Sequence, residues 1–404
     1  MRRTPKGITI LATLGLFSAL LSANAPMASG VAATVDVQVG APLFAVPQAN
    51  HAPADGDRFY APALSVHKGD TVTFDFQGFH TATLLPANND ADTWVTDNAV
   101  GLGKPFSFIV PDPDEGATAI KINSAAIFPS SLGCGAPTNP CPYDGSKVVN
   151  SGIFDASDLQ AQTFSFSTRI DANPGAQFTF LCLVHLGMRQ TVSVVADTDT
   201  STTQAEIDTY RDKKVVVDAR QAAKQHASLL KGTPSSGGVV DAYAGYDGPH
   251  FSLLAFYPRR IELTKGQTVR WHFDALVFED HTVTFPSKKA LKIANNSFIP
   301  VCDPDGDTGT LPDDPSDPEA TTIDDVCPGG VTQIEFAVDP RFGPPAGNGV
   351  ATGIKDFESS GIRGSNVGLS DPYEVRFAKR TQKHAPFTFI CMIHPFMRGK
   401  VIVH

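Results

Sequence analysis

The stretch FTFICMIHPFM (Phe387–Met397) decides how this chain is read. Its first residues alternate aromatic and polar side chains, as a half-buried strand does. Cys391, His394 and Met397 then follow at intervals of three, which sets a thiol, an imidazole and a thioether around one tight loop. An earlier stretch, FTFLCLVHLGM (Phe178–Met188), places Cys182, His185 and Met188 at the same spacing. With 11 histidines and 5 methionines in 404 residues, a given cysteine meets this pattern by chance roughly 0.03% of the time. Two occurrences at matching places make coincidence a poor explanation.

Outward from these stretches the whole chain repeats. VDVQVGA (Val35–Ala41) answers VVDAYAG (Val239–Gly245), and FYAPALSVHKGDTVTFDF (Phe59–Phe76) answers FYPRRIELTKGQTVRWHF (Phe256–Phe273). HTATLLP from His80 answers HTVTFP from His281, and the VNSGIF segment around Ser151 answers ESSGIR around Ser360. In DTVTFDF, Val72, Phe74 and Phe76 share one face, and KGD just before them is turn chemistry. Short alternating strands between Gly- and Pro-rich turns predict an all-β protein with one β-sandwich per half. The expected layout is a signal peptide (1–33), a first domain (34–197), a helical linker (198–233) and a second domain (234–404). Thr203 and Glu206 are spaced as a capping box for the linker helix, with Ile207, Tyr210, Lys214 and Val217 at helical spacing. His226 on that helix has no partner at ligand spacing and reads as a surface residue.

Net charge is −10, a poor match for nucleic acid or anionic membrane. Arg2, Arg3 and Lys6 precede an apolar run from about Ile8 to Leu21 and small residues ending at Ala33, the pattern of a secretory leader. The competing reading, an uncleaved anchor, needs a longer apolar run. Loss of the leader removes three positive charges and gives −10 − 3 = −13. Export to the periplasm or the extracellular space, with no membrane span after removal, is the expectation. Export permits disulfides, and Cys134/Cys141 and Cys302/Cys327 are the expected pairs. The acidic insertion between Cys302 and Cys327 lacks the ordered ligand spacing of a calcium loop and reads as a solvated loop.

Two imidazoles and a thiolate in one plane, with a weak axial thioether, make an electron-transfer copper site. Each half supplies such a set once the upstream histidine of its HT pair is counted. Taken singly, the cysteines read as small buried hydrophobes, the histidines as structural residues and the methionines as gap fillers. Zinc accepts Cys and His but gains little from a thioether. The repeated segments resemble those of cupredoxins, the plastocyanin and amicyanin family, and CMIHPFMRGKVIV looks like the short ligand loop of amicyanin. The resemblance implies a Greek-key β-sandwich in each half with copper at one end. Carried over by position, His80, Cys182, His185 and Met188 bind one type 1 copper, and His281, Cys391, His394 and Met397 bind another. HLGM in the first loop departs from HPFM in the second.

Copper enzymes of this fold place a histidine directly before the type 1 cysteine or carry His-x-His pairs. Here Leu181 and Ile390 precede the cysteines, and no His-x-His occurs. The sequence therefore points to a non-enzymatic carrier of single electrons that works with a redox partner protein. The ligand histidines His185 and His394, turned toward the surface, are the expected exits. Copper storage, delivery or sensing at the cell envelope is the alternative.

Overall fold

A computed structural model describes residues 32–404 apart from 113–119, 132, 154–163, 232–237, 275–278, 303–333, 365 and 383–384. The leader and the expected Cys302–Cys327 bridge lie outside the described residues.

The first half lays down β1 (Thr34–Ala41), β2 (Ala54–Phe59), β3 (Leu64–His67), β4 (Thr71–Phe76) and β5 (Thr83–Leu84). Helix α1 (Ala91–Asn98) follows, then β6 (Ile109–Pro111), β7 (Ile120–Ile122) and the short α2 (Ser124–Ile127). It ends with β8 (Cys141–Tyr143), β9 (Val149–Asn150), β10 (Ser165–Ile170), β11 (Gln177–Leu181) and β12 (Arg189–Val195). After α3 (Gln204–Leu229), the second half begins with β13 (Val239–Asp247), β14 (Phe251–Tyr257), β15 (Arg260–Leu263), β16 (Thr268–Asp274) and β17 (Thr284–Phe285). Helix α4 (Ser287–Asn295) precedes β18 (Ile299–Cys302), β19 (Ile334–Ala337), β20 (Val350–Ala351) and β21 (Glu358–Ser359). β22 (Tyr373–Phe377), β23 (Phe387–Ile390) and β24 (Arg398–Val403) close the chain.

The protein is mostly β, as its alternating strands require, and the repeat extends to topology. One five-stranded sheet runs β3-β12-β11-β5-β9 and the other β15-β24-β23-β17-β21, the same order in equivalent strands. The facing sheets are joined into one of ten strands, β20-β22-β16-β13-β14-β2-β1-β4-β10-β8. Val72, Phe74 and Phe76 of β4 are buried as expected, but Thr73 on the other face is buried too, its Oγ1 2.9 Å from Ser167 Oγ. Phe74 meets Phe180 of the opposite sheet edge to face at 4.7 Å. In the second half Trp271 and Phe389 do the same at 5.4 Å.

Residues 32–404 are one compact unit, so the halves are not beads on a linker. The reason is strand pairing at the seam. β2 and β14 lie antiparallel, with Asp55 opposite Ser252, Ala54 opposite Leu253 and Gly56 opposite Phe251. Counting back from the matched Phe59 and Phe256, Asp55 and Ser252 are equivalent positions. Equivalent residues facing each other across antiparallel strands mark a local two-fold axis.

Helix α3 has the expected capping box of Thr203 and Glu206. Its buried face, however, is Ile207, Asp218, Ala219 and Ala222. Small alanines let it lie against Ala41, Leu43, Phe251 and Tyr257 around the seam. His226 is partnered rather than free, its Nδ1 lying 2.8 Å from the Tyr257 hydroxyl. Cys134 and Cys141 form the expected disulfide, with S–S 2.03 Å. Among the described residues no helix is long and apolar enough to cross a membrane.

Candidate metal centres

Each centre is assembled from a strand end, a tight loop and a distant histidine. Cys182 follows β11 directly. Its N–H donates to the Met188 carbonyl at 3.1 Å, and the Met188 N–H donates to the His185 carbonyl at 2.8 Å. Cys391, Met397 and His394 repeat this at 3.2 and 2.8 Å. The loop thus folds back on the cysteine and carries histidine and methionine with it. His80 and His281 arrive from the start of the segments leading into β5 and β17. Met188 and Met397 are fully buried at 1% and 0% exposure, as is Met392, which fills core space.

In the first centre, Cys182 Sγ lies 4.0 Å from His80 Nδ1 and 3.6 Å from His185 Nδ1. The two Nδ1 atoms are 2.8 Å apart. In the second, Cys391 Sγ lies 3.8 Å from both His281 Nδ1 and His394 Nδ1, and the nitrogens are 3.3 Å apart. Metal bonds of about 2.0 Å to nitrogen and about 2.3 Å to sulfur leave donors in one coordination plane separated by about 3.5 Å. The second centre matches that closely, and the first is compressed on its nitrogen edge. A backbone N–H points at each sulfur, from Thr81 to Cys182 and from Thr282 to Cys391, both at 3.3 Å.

The matched serines and threonines hold these segments. Ser151 Oγ accepts the Ala82 N–H at 2.8 Å, and Ser360 Oγ accepts the Val283 N–H at 2.8 Å. Thr81 Oγ1 accepts from the Leu183 N–H, and Thr282 Oγ1 from the Met392 N–H. The repeated HT and SG pairs are therefore one hydrogen-bonded frame made twice, and it fixes where the upstream histidine enters.

Charge favours a cation here. Burial opposes ionisation of Cys182, but His185 and His80 beside it hold its thiol well below the ordinary value. Cys391 is lowered in the same way, against its own burial, by His281 and His394. Burial likewise opposes protonation of His394, yet Glu279 and Cys391 push it up to about 10. To ligate a metal the thiol and the imidazoles give up their protons, and a bound cation would replace that positive charge beside the sulfur. Soft sulfur with imidazole fits copper.

Three groups escaped the sequence. Glu279 accepts from His185 Nε2 through one oxygen and from His394 Nε2 through the other, each at 3.2 Å. Its carboxyl is held well below the usual range by those imidazoles, against the effect of burial. Both expected exit histidines therefore turn toward each other, and His185 is only 3% exposed rather than at the surface. The signal was a break in the repeat: EDHT stands where the first half reads GFHT. Gly40 and Gly245, at positive φ of 75° and 77°, lie against the upstream histidines. A Cβ there would sit 2.2 Å from His80 Nε2 and 2.0 Å from His281 Nε2. Each lies at a β-bulge, which is why the linear match of VDVQVGA to VVDAYAG sets them one residue out of register.

Asp57, the third, lies beside His185 and Glu279, with the ligand-type atoms of the three within 4.8 Å of one another. Burial raises its carboxyl well above the ordinary value. Ser252 donates to its Oδ2 at 2.7 Å, and its Oδ1 is buried without a hydrogen-bond partner. These groups form one wall of a cavity of about 410 Å³ whose other walls include Phe79, Phe108, Phe298, Phe342 and Phe396.

No protein-family model matches the chain, and no curated protein does. Among solved structures, a mutant amicyanin in the Cu(I) form matches at 12% identity with TM-score 0.19, covering 42% of this chain and 86% of its own. The copper-containing nitrite reductase of Thermus scotoductus matches at 10% identity with TM-score 0.21, covering 93% of this chain and 68% of its own. A multicopper oxidase matches at 12% identity with TM-score 0.19, covering 92% and 88%.

The expectation of a non-enzyme is corrected here. Missing His-x-His pairs and the residues before the cysteines bear only on neighbours in sequence. The fold gathers Asp57, His185 and Glu279 from distant segments, a cluster that no linear spacing displays. By its sheet topology and its paired His–Cys–His donor sets, the chain has a cupredoxin-like fold.

Proposed function

We propose that this chain is an exported copper protein that moves single electrons through two type 1 copper ions. His80, Cys182, His185 and Met188 hold one, and His281, Cys391, His394 and Met397 hold the other. The observation that carries this reading is the donor triad formed twice, in buried and equivalent positions, with sulfur and both Nδ1 atoms converging. The metal supplies a one-electron couple when bound. The residues supply a nearly fixed frame for it: the loop hydrogen bonds and the N–H aimed at each sulfur hold the donors through a change of charge. Burial excludes water from the sulfur.

An external redox partner is part of the reading. The Phe396 ring is 57% exposed and lies 5.8 Å from the His394 ring, which favours partner contact at the second centre. Titration with Cu(II) should take up two equivalents per chain with an intense visible thiolate band that bleaches on reduction and returns on oxidation. A colourless loaded protein, or saturation without any sulfur-to-copper band, would overturn the reading. Fractionation of the native host should find the mature chain outside the cytoplasm.

A further inference from the structure

We infer that the two centres form one internally wired pair, with the Glu279 carboxylate as the electron bridge between them. The inference rests on the two-centre reading above and adds to it the route between the centres.

The geometry is specific. With each Nδ1 turned to its cysteine, the Nε2–H of His185 and of His394 point away from their own centres. One carboxylate meets both, oxygen by oxygen, at 3.2 Å. A ligand imidazole commonly donates its outer N–H to a carboxylate, which fixes tautomer and ring orientation. Here one carboxylate does this for two histidines belonging to different centres. The path is ligand imidazole, hydrogen bond, carboxylate, hydrogen bond, ligand imidazole, with no gap across open space.

Symmetry explains why one residue suffices. His185 and His394 are equivalent positions in the repeat, and the seam strands meet about a local two-fold with Asp55 opposite Ser252. A group near that axis reaches both histidines equally, and a second copy has no place to go. The sequence agrees. The position equivalent to Glu279 is Gly78, which has φ +145° and whose Cβ would come 3.2 Å from His80 Nε2. The repeat is broken at the one place where a symmetric pair needs a single bridging group.

The bridge is also held at constant length. The halves share a continuous sheet, and Asn366 of the second half donates to the Val184 carbonyl of the first, next to His185, at 2.8 Å. The Asp280 carboxylate accepts the Asn366 N–H at 3.2 Å, tying this brace to the residue beside Glu279. Transfer moves one electron from the reduced centre to the oxidised one. No bond forms or breaks, and both Nε2 protons stay on their imidazoles.

The test uses the full chain, as wild type, Glu279→Gln and Glu279→Ala. Imidazole-selective ¹⁵N NMR of the metal-free and Cu(I) proteins should show, in wild type, slowly exchanging Nε2–H signals assigned to both His185 and His394, distinct from those of the buried His80 and His281. Gln, with one acceptor oxygen, should keep one, and Ala neither. After injection of one electron into the oxidised two-copper protein, re-equilibration between the centres should slow by about tenfold or more in Ala, the scale of an outer-shell loss, with Gln between. His185 and His394 Nε2–H signals that stay protected in Ala, or an unchanged inter-centre rate, would overturn the inference. A wild-type chain that binds no copper removes the two-centre reading and the electron path with it. The copper-free NMR separates that outcome from failure of the bridge.

Discussion

Gly245→Ala should abolish the copper-thiolate band of the second centre and leave that of the first, so that copper uptake falls by half. The added methyl would stand 2.0 Å from His281 Nε2 and 2.5 Å from its Cδ2. That is far inside van der Waals contact, so the ring must move. His281 is fully buried, its main chain is paired with Arg363 in both directions at 2.8 and 2.9 Å, and the ring has no room to retreat without taking Nδ1 out of the donor plane. The backbone at φ +77° adds the strain of a left-handed alanine, and each of the two effects costs about 1–3 kcal/mol. Gly40→Ala should do the same to the first centre, where the methyl meets His80 Nε2 at 2.2 Å. Gly266→Ala is the control. Its φ is +95° but nothing lies within 4 Å of its Cβ, so stability falls while both bands remain. Metal analysis with visible absorption decides the matter. A full second-centre band in Gly245→Ala would show that the glycine makes no room for the ligand.

That glycine also shows where sequence reading stops. Patterns local to a segment were legible. Period-two alternation marked β4, Thr203 and Glu206 marked the start of α3, and the Cys–His–Met spacing marked both loops. Features made by pairing between segments were not. The β2–β14 seam consists of main-chain hydrogen bonds, and main-chain groups are the same in every residue. One trace was present: FSLLAFY in β14 is apolar except for Ser252 and buried at every position, as a strand covered on both faces must be. The bulges at Gly40 and Gly245 shift the count by one, so the linear match hid their equivalence. The direction of His185 and His394 is not legible in their loops, because a single-domain carrier has no second half to cover its loop. Here the second half supplies the cover and, in Glu279, the hydrogen-bond acceptor.

The same seam sets the largest expected stability effect outside the core, from Arg58→Ala. Arg58 lies on β2 and reaches the helix above it. Its Nε and Nη2 donate to the two oxygens of Asp218 at 3.0 and 3.2 Å, and its Nη1 donates to the Tyr210 hydroxyl at 3.0 Å. Side-chain exposures of 11% for Arg58 and 1% for Asp218 place this pair beyond the screening that weakens surface ion pairs. Removing the guanidinium strands a buried carboxylate on α3, which costs about 3–5 kcal/mol. Arg58→Lys should cost less, since a point charge remains but the two-pronged geometry is lost. Arg58→Met combined with Asp218→Leu should recover most of the loss, because no charge is left unpaired and apolar volume fills the seam. Urea unfolding followed by tryptophan fluorescence reads all four proteins. Hydrogen exchange should locate the weakening in β2, β14 and α3, where Ala219 and Ala222 lose their seating. Neither centre draws a proposed ligand from Arg58, so the thiolate bands should survive in every variant. An Arg58→Ala protein within about 0.5 kcal/mol of wild type, the range of ordinary surface substitutions, would mean that the helix is held by alanine packing alone.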